Sequence, residues 1–290
     1  MFKSMRLASS SIVLAALWLG APQGAPGQVT RPISTPIGLQ LLHKMQAALG
    51  GADKIAAIHD YEEKVRAKIW NSNGTPMGEV RKRTRWLRSP NLLRVDQIGP
   101  RDTYVLYFDS SSGSGWEMLP DLENPDPFKT TGKPIKLAGS ELKFAKNYLL
   151  GFSLSMWLAD RISGYTVTSP APNVLRIERD GNATDFTLDP STWLPLRTSE
   201  VSLSNPDRPV VAEMHYEAWT EVAGVRFPTK RANYHHGVKL AEETTEAAIH
   251  VNLGLLPQQL AAPPANLAPE IPADDGRSRS SNRASTHVGN

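Results

Sequence analysis

The 290-residue chain contains no cysteine. That excludes disulfides, cysteine nucleophiles, thiolate metal sites and attachment of a lipid at a lipobox cysteine. Past the N-terminal leader it also has no apolar run long enough to cross a membrane: the one from Tyr148 to Ala159 lies between Lys146 and Asp160, short of the roughly 20 apolar residues a span requires. Metalloprotease HExxH, the Gly-x-Ser-x-Gly elbow, the P-loop and the dinucleotide fingerprint are all missing. No repeat of solenoid length is present. Excess charge is lacking too. The 32 basic residues, less Lys3 and Arg6 of the leader described next, leave 30 against 29 acidic ones. Nothing in that balance calls for nucleic acid as a partner.

The ends read differently from the middle. Lys3 and Arg6 form a charged n-region, Ile12 to Leu19 an apolar h-region, and Ala25-Pro26-Gly27 a small-residue cleavage signal. We therefore expect a signal peptide over 1–27 and an exported chain. Without disulfides such a chain depends on its core, which a single domain over 28–260 is long enough to supply. From Ala261 to Asn290 the composition shifts to Ala, Pro, Ser, Asn and Arg, the signature of a disordered tail.

Thr35-Pro36 caps and opens a helix whose apolar face is Ile37, Leu41, Leu42, Met45, Ala48 and Leu49, ended by Gly50-Gly51. From His59 the period changes to two. Tyr61, Val65, Ala67 and Ile69 alternate with charged residues, and Glu63 breaks the apolar side. Further strand-like runs follow, separated by turns such as Asn71-Ser72-Asn73-Gly74 and Asp180-Gly181, the latter the strongest hairpin signal in the chain. The near-continuous apolar run Tyr104–Phe108 predicts a central strand, and 120–139 a weakly structured, proline-containing crossover. Ser140–Arg161 is the exception. Its apolar residues recur at helical spacing over much of the circumference, so this helix must be buried by protein, a partner or an apolar ligand. The fold class is mainly β: a strongly curved antiparallel sheet of about ten strands, with an N-terminal helix and an inserted helix covering its apolar concave face.

Candidate chemistry is sparse. Ser140-Glu141-Leu142-Lys143 matches Ser-x-x-Lys, but a helix-capping role suffices for Ser140. His235-His236 sits beside Gly237 as a turn pair, and adjacent strand residues point to opposite faces, which disfavours chelation of one metal. Arg81, Arg83 and Arg85 share one strand face, with Lys82 and Arg88 on the other. They read either as a solvated face or as a contact for an anionic headgroup or an acidic partner. Glu62-Glu63 and Glu242-Glu243 show no local pattern of a catalytic carboxylate pair. No cofactor or metal is implied.

LDPSTWLPLR at 188–197, YEAWTEVAGVRFP at 216–228, FDSSSGSGW at 108–116 and ALGGADKIAAI at 48–58 together resemble the periplasmic lipoprotein-carrier-like proteins, the LolA-like and LppX-like half-barrels. The resemblance covers roughly residues 43–256. It implies an incomplete barrel that binds acyl chains between its concave face and covering helices, in the periplasm, without enzymatic activity. Carried onto this chain, Phe144, Tyr148, Phe152 and Trp157 would face a ligand from the covering helix, and Tyr104, Leu106 and Phe108 from the sheet. The expected partner is a lipid or acylated peptide. Two other functions fit the same residues: an envelope sensor or protein-interaction domain without ligand, and a hydrolase with a dispersed site.

Overall fold

The computed structural model describes residues 33–99, 104–110, 112–118, 134–139, 142, 153–202 and 210–261. Helix α1 (Pro36–Leu49) begins as its sequence dictates: the Thr35 hydroxyl accepts from the Gly38 N–H at 3.2 Å, proline opens the first turn, and Gly50 ends it at φ +119°. Leu41, Leu42, Met45 and Leu49 are buried. Ile37, expected on the same face, is 64% exposed. The first turn instead presses Gly38 onto the chain at Thr168, which turns Ile37 outward. A short helix α2 (Ala52–Ala56) follows.

The strands form one antiparallel sheet of two meanders. The first comprises β1 (Asp60–Trp70), β2 (Pro76–Leu87), β3 (Leu92–Ile98), β4 (Tyr104–Asp109), β5 (Ser114–Met118) and β6 (Pro134–Lys136). The second comprises β7 (Thr166–Ala171), β8 (Val174–Arg179), β9 (Asn182–Leu188), β10 (Pro195–Ser202), β11 (Val210–Val222), β12 (Val225–His235) and β13 (Val238–Thr245). The order is β6-β5-β4-β3-β2-β1-β13-β12-β11-β10-β9-β8-β7, and the short β14 (His250–Val251) pairs with β1. The sheet is therefore curved and unclosed, with 14 strands among the described residues rather than about ten. Some of the excess has a simple origin: three residues of the crossover pair as β6, and the run from Val238 to Val251 divides into β13 and β14.

Local chemistry sets the turns. Asp180 and Gly181 adopt φ of +51° and +77°, the two positive values that a two-residue hairpin of type I′ requires. Val105 to Phe108 of strand β4 are buried, as the apolar run predicts, but the strand stands third from an edge rather than centrally. Its burial comes from both faces. Leu106 and Phe108 join the main core, while Val105 and Tyr107 pack with Met118 and Trp116 on the opposite side.

Because β6 and β7 are the two edges of the sheet, the chain between them has to pass from one edge to the other. The greater part of the expected Ser140–Arg161 helix lies outside the described residues. Its described end is a single turn, α3 (Ser153–Met156), and the chain then continues in turns instead of helix. The Leu158 and Ala159 N–H groups bond three residues back, at 3.2 and 3.0 Å. Helix α1 holds this bend: the Gln46 amide donates to the Trp157 carbonyl at 2.9 Å and to Asp160 at 2.8 Å. Leu154, Met156, Trp157 and Leu158 are consequently buried in the main core with Tyr61, Trp86, Phe186 and Phe227. The last helix, α4 (Pro257–Leu260), lies on the other face, with Leu260 between Leu87 and Leu92.

A methyl group on Gly38 would stand 2.7–2.8 Å from the backbone of Thr168 in β7. Gly38→Ala should therefore destabilise the protein by about 1–3 kcal/mol through overpacking, although helix propensity alone would favour it by about 1 kcal/mol. Urea unfolding distinguishes the two signs.

Candidate functional site

The concave face changes character along its strands. Tyr61, Trp86, Leu93 and Phe108 stand opposite one another across β1 to β4 as an apolar row. Two residues further on, the same four strands present Glu63, Thr84, Val95 and Leu106. Polarity therefore enters the concave side at β1 and β2, next to the junction with β13. The residue that breaks the apolar side of β1, Glu63, is at its centre.

Glu63 is 3% exposed and fully partnered. Its carboxylate accepts from the Tyr61 hydroxyl at 2.9 Å, the Thr245 hydroxyl at 2.8 Å and Arg231 Nη2 at 2.8 Å. Arg231 Nε donates to Glu243 at 2.7 Å, and Lys82 donates to the other oxygen of Glu243 at 2.8 Å. Four strands, β2, β1, β13 and β12, thus contribute two buried carboxylates and two cations. Burial works against each charge, yet the pairing wins. Glu63 and Glu243 raise Arg231 well above its ordinary value against the cost of burial. Burial would likewise raise Glu243, but Lys82 and Arg231 outweigh it and lower its carboxyl to about 2.

Beside this group a cavity of about 210 Å³ opens between the sheet and the crossover. Leu154, Met156 and Trp157 wall it on the crossover side, with Phe227 and Met214 on the sheet. Tyr216, Thr198, Thr184, Glu200 and Arg231 add polar groups from β9 to β12. The Trp157 and Phe227 rings lie 6.0 Å apart at 45°, and Phe227 meets Tyr61 at 5.6 Å. The volume exceeds that of a benzene-sized apolar cavity, about 150 Å³, and falls below the roughly 300 Å³ at which drug-sized pockets begin. It suits one segment of a flexible chain.

The residues singled out from sequence scatter around this site. Trp157 lines the cavity. Leu106 and Phe108 are buried in the core under the first meander, and Tyr104 packs against that core near its edge. Phe144, Tyr148 and Phe152 lie outside the described residues. Arg81, Arg83 and Arg85 all face the convex side, where Arg83 pairs with Glu62, Arg85 with Asp96, and Arg81 with Glu246. Lys82, on the opposite face as its place in the strand requires, enters the buried group instead. The His235 and His236 rings stack edge-on at 4.2 Å in the β12–β13 turn. Sequence reasoning missed Arg231 and Glu243, since their role depends on β1 meeting β13. Glu63, an acid on an apolar side, was the available signal.

No family model matches the sequence, and no curated protein matches it either. Solved structures do. A DUF1329 family protein from Desulfovibrio piger superposes with a TM-score of 0.56 at 12% identity, covering 81% of this chain and 99% of its own. A Vibrio parahaemolyticus domain named for outer membrane lipoprotein sorting superposes at 0.51 with 14% identity, covering 77% of this chain and 96% of its own. This chain shares the fold of these two structures. At these identities the likeness concerns the fold alone.

In this half-barrel the buried charges make two measurable demands. Arg231→Met would leave buried Glu63 without a cation and Glu243 with Lys82 alone, so it should cost about 3–5 kcal/mol in urea unfolding at neutral pH. Glu243 has a folded pKa near 2 against an ordinary value of 4.5. Its contribution is therefore present above pH ~4.5 and lost as pH falls through ~2, amounting to roughly 3 kcal/mol. Glu243→Gln should be less stable at neutral pH and show a shallower acid limb; superimposable acid-unfolding profiles would mean that Glu243 is not held as a carboxylate.

Proposed function

We propose that this protein is a non-enzymatic binding or carrier protein of the bacterial periplasm that holds an acyl chain, a lipid or a lipid-modified peptide in the half-barrel. The observation that carries the reading is the cavity between the concave sheet and the crossover, walled by Leu154, Met156, Trp157, Phe227 and Met214. These are the flexible and aromatic apolar side chains suited to a guest of variable shape. Phe144, Tyr148 and Phe152 precede Trp157 in the same apolar stretch, and we propose them as further ligand contacts. Tyr104, Leu106 and Phe108 extend the apolar surface along the first meander. The leader at 1–27 supports export, with cleavage after Gly27. No described helix is long and apolar enough to cross a membrane.

The modest volume and the charged group beside it favour a second reading, an envelope sensor or interaction domain whose cavity takes no ligand. In that case the convex arginines are the contact surface; Arg81, 61% exposed, is the most accessible of the three.

Protein purified gently from an envelope fraction should carry lipid in native mass spectrometry, and a brominated long-chain alcohol should quench Trp157. Met214→Asp, on the cavity wall rather than in the buried core, should weaken uptake about tenfold or more. Bare polypeptide together with unquenched fluorescence would move the balance to the interaction-domain reading.

A further inference from the structure

The cavity has a polarity of its own. Four charged side chains line it among the described residues: Glu63, Glu200, Glu213 and Arg231. Arg231 is committed to Glu63 and Glu243. Glu213 is committed to Arg197 at 3.2 Å and to Ser199 at 3.1 Å. Glu200 is different. It stands between Thr184 of β9 and Ala212 of β11, neither of which can neutralise it, and it shares the cavity with hydroxyl groups of Thr184, Thr198 and Tyr216. Walls enclose the carboxyl enough to raise its pKa by burial, yet its side chain is still exposed to solvent.

We infer that Glu200 sets the headgroup preference of the cavity: it admits acyl ligands with an amine or other cationic head and disfavours those ending in a carboxylate. This deepens the carrier reading and rests on it. Among the described residues the one lining cation is already saturated by two carboxylates, so an anionic head finds no free partner among them. A cationic head finds an uncompensated acid next to an apolar wall, where a charge pair is screened less than on an open surface. The hydroxyls around Glu200 can receive the remaining N–H donors of an ammonium group.

Dodecylamine, dodecanol and dodecanoate share one chain and differ only in charge. Attraction for one and repulsion for the other should make dodecylamine bind about tenfold more tightly than dodecanoate at neutral pH, with dodecanol between them. In Glu200→Gln the three affinities should converge, with urea unfolding confirming the fold. Equal binding of all three by the unaltered protein, or tightest binding of dodecanoate, would overturn the inference and leave the carrier reading standing. So would a preference that persists in Glu200→Gln. Failure of the folded protein to bind any of the three overturns both.

Discussion

The pairing of β1 with β13 is the constraint on which the half-barrel depends. Each meander is local, built from hairpins whose strands are neighbours in sequence. Among the described strands, the one pairing that joins them runs from Val65–Thr245 to Ile69–Ala241, across nearly the whole domain. Closing so long a loop costs entropy before any contact rewards it. Once made, it places the strands near the chain ends of the domain at the middle of the sheet and the strands from mid-chain, β6 and β7, at its edges. The crossover then has to span between those edges, which is how Leu154 to Leu158 come to rest in the core.

The buried ions sit on that same junction and help to define it. Glu63 belongs to β1, Glu243 to β13, Lys82 to β2 and Arg231 to β12. A slip of β13 by one residue would turn Glu243 to the convex side and bring a neighbour inward. Where Thr244 takes its place, Arg231 loses one partner and Lys82 its own; a slip the other way brings Glu242 to the same position and keeps a carboxylate there. Buried ion pairs are weak contributors to net stability, but a group that is satisfied in one register penalises the others. The apolar residues of β13 are few, so shape alone discriminates poorly there. The charges supply discrimination against the slip that brings Thr244 inward.

Much of the architecture was legible because it is written in local chemistry. Thr35-Pro36 with Gly50 bounds α1, Asp180-Gly181 makes a hairpin, and alternation along β1 and β2 separates Lys82 from Arg81 and Arg83. What was not legible is set by partners distant in sequence. The apolar run of β4 reads as a central strand because burial on both faces looks the same from either cause. Ile37 reads as buried until Gly38 is seen against β7. The arginines of β2 read as available for an anion because Glu62, Asp96 and Glu246 come opposite them only once the strands pair. The same holds inside the sheet, where an acid flagged only as an exception turned out to anchor the polar half of the concave face.

That polar half also explains why the cavity stays open beside a crossover rich in apolar residues. An unbroken apolar concave face would gain by drawing Met156 and Trp157 down until no void remained, since each buried methylene group favours closure by about 0.8 kcal/mol. Here closure would strip water from Glu200 and from the accessible side of the Lys82–Glu243–Arg231–Glu63 group, whose hydrogen bonds are already allocated. Desolvating such groups without new partners costs several kcal/mol. The two terms are of comparable size and opposite sign, so the walls stop short of contact. A guest that brought its own apolar chain to Trp157 and its own donors to Glu200 would meet both requirements at once.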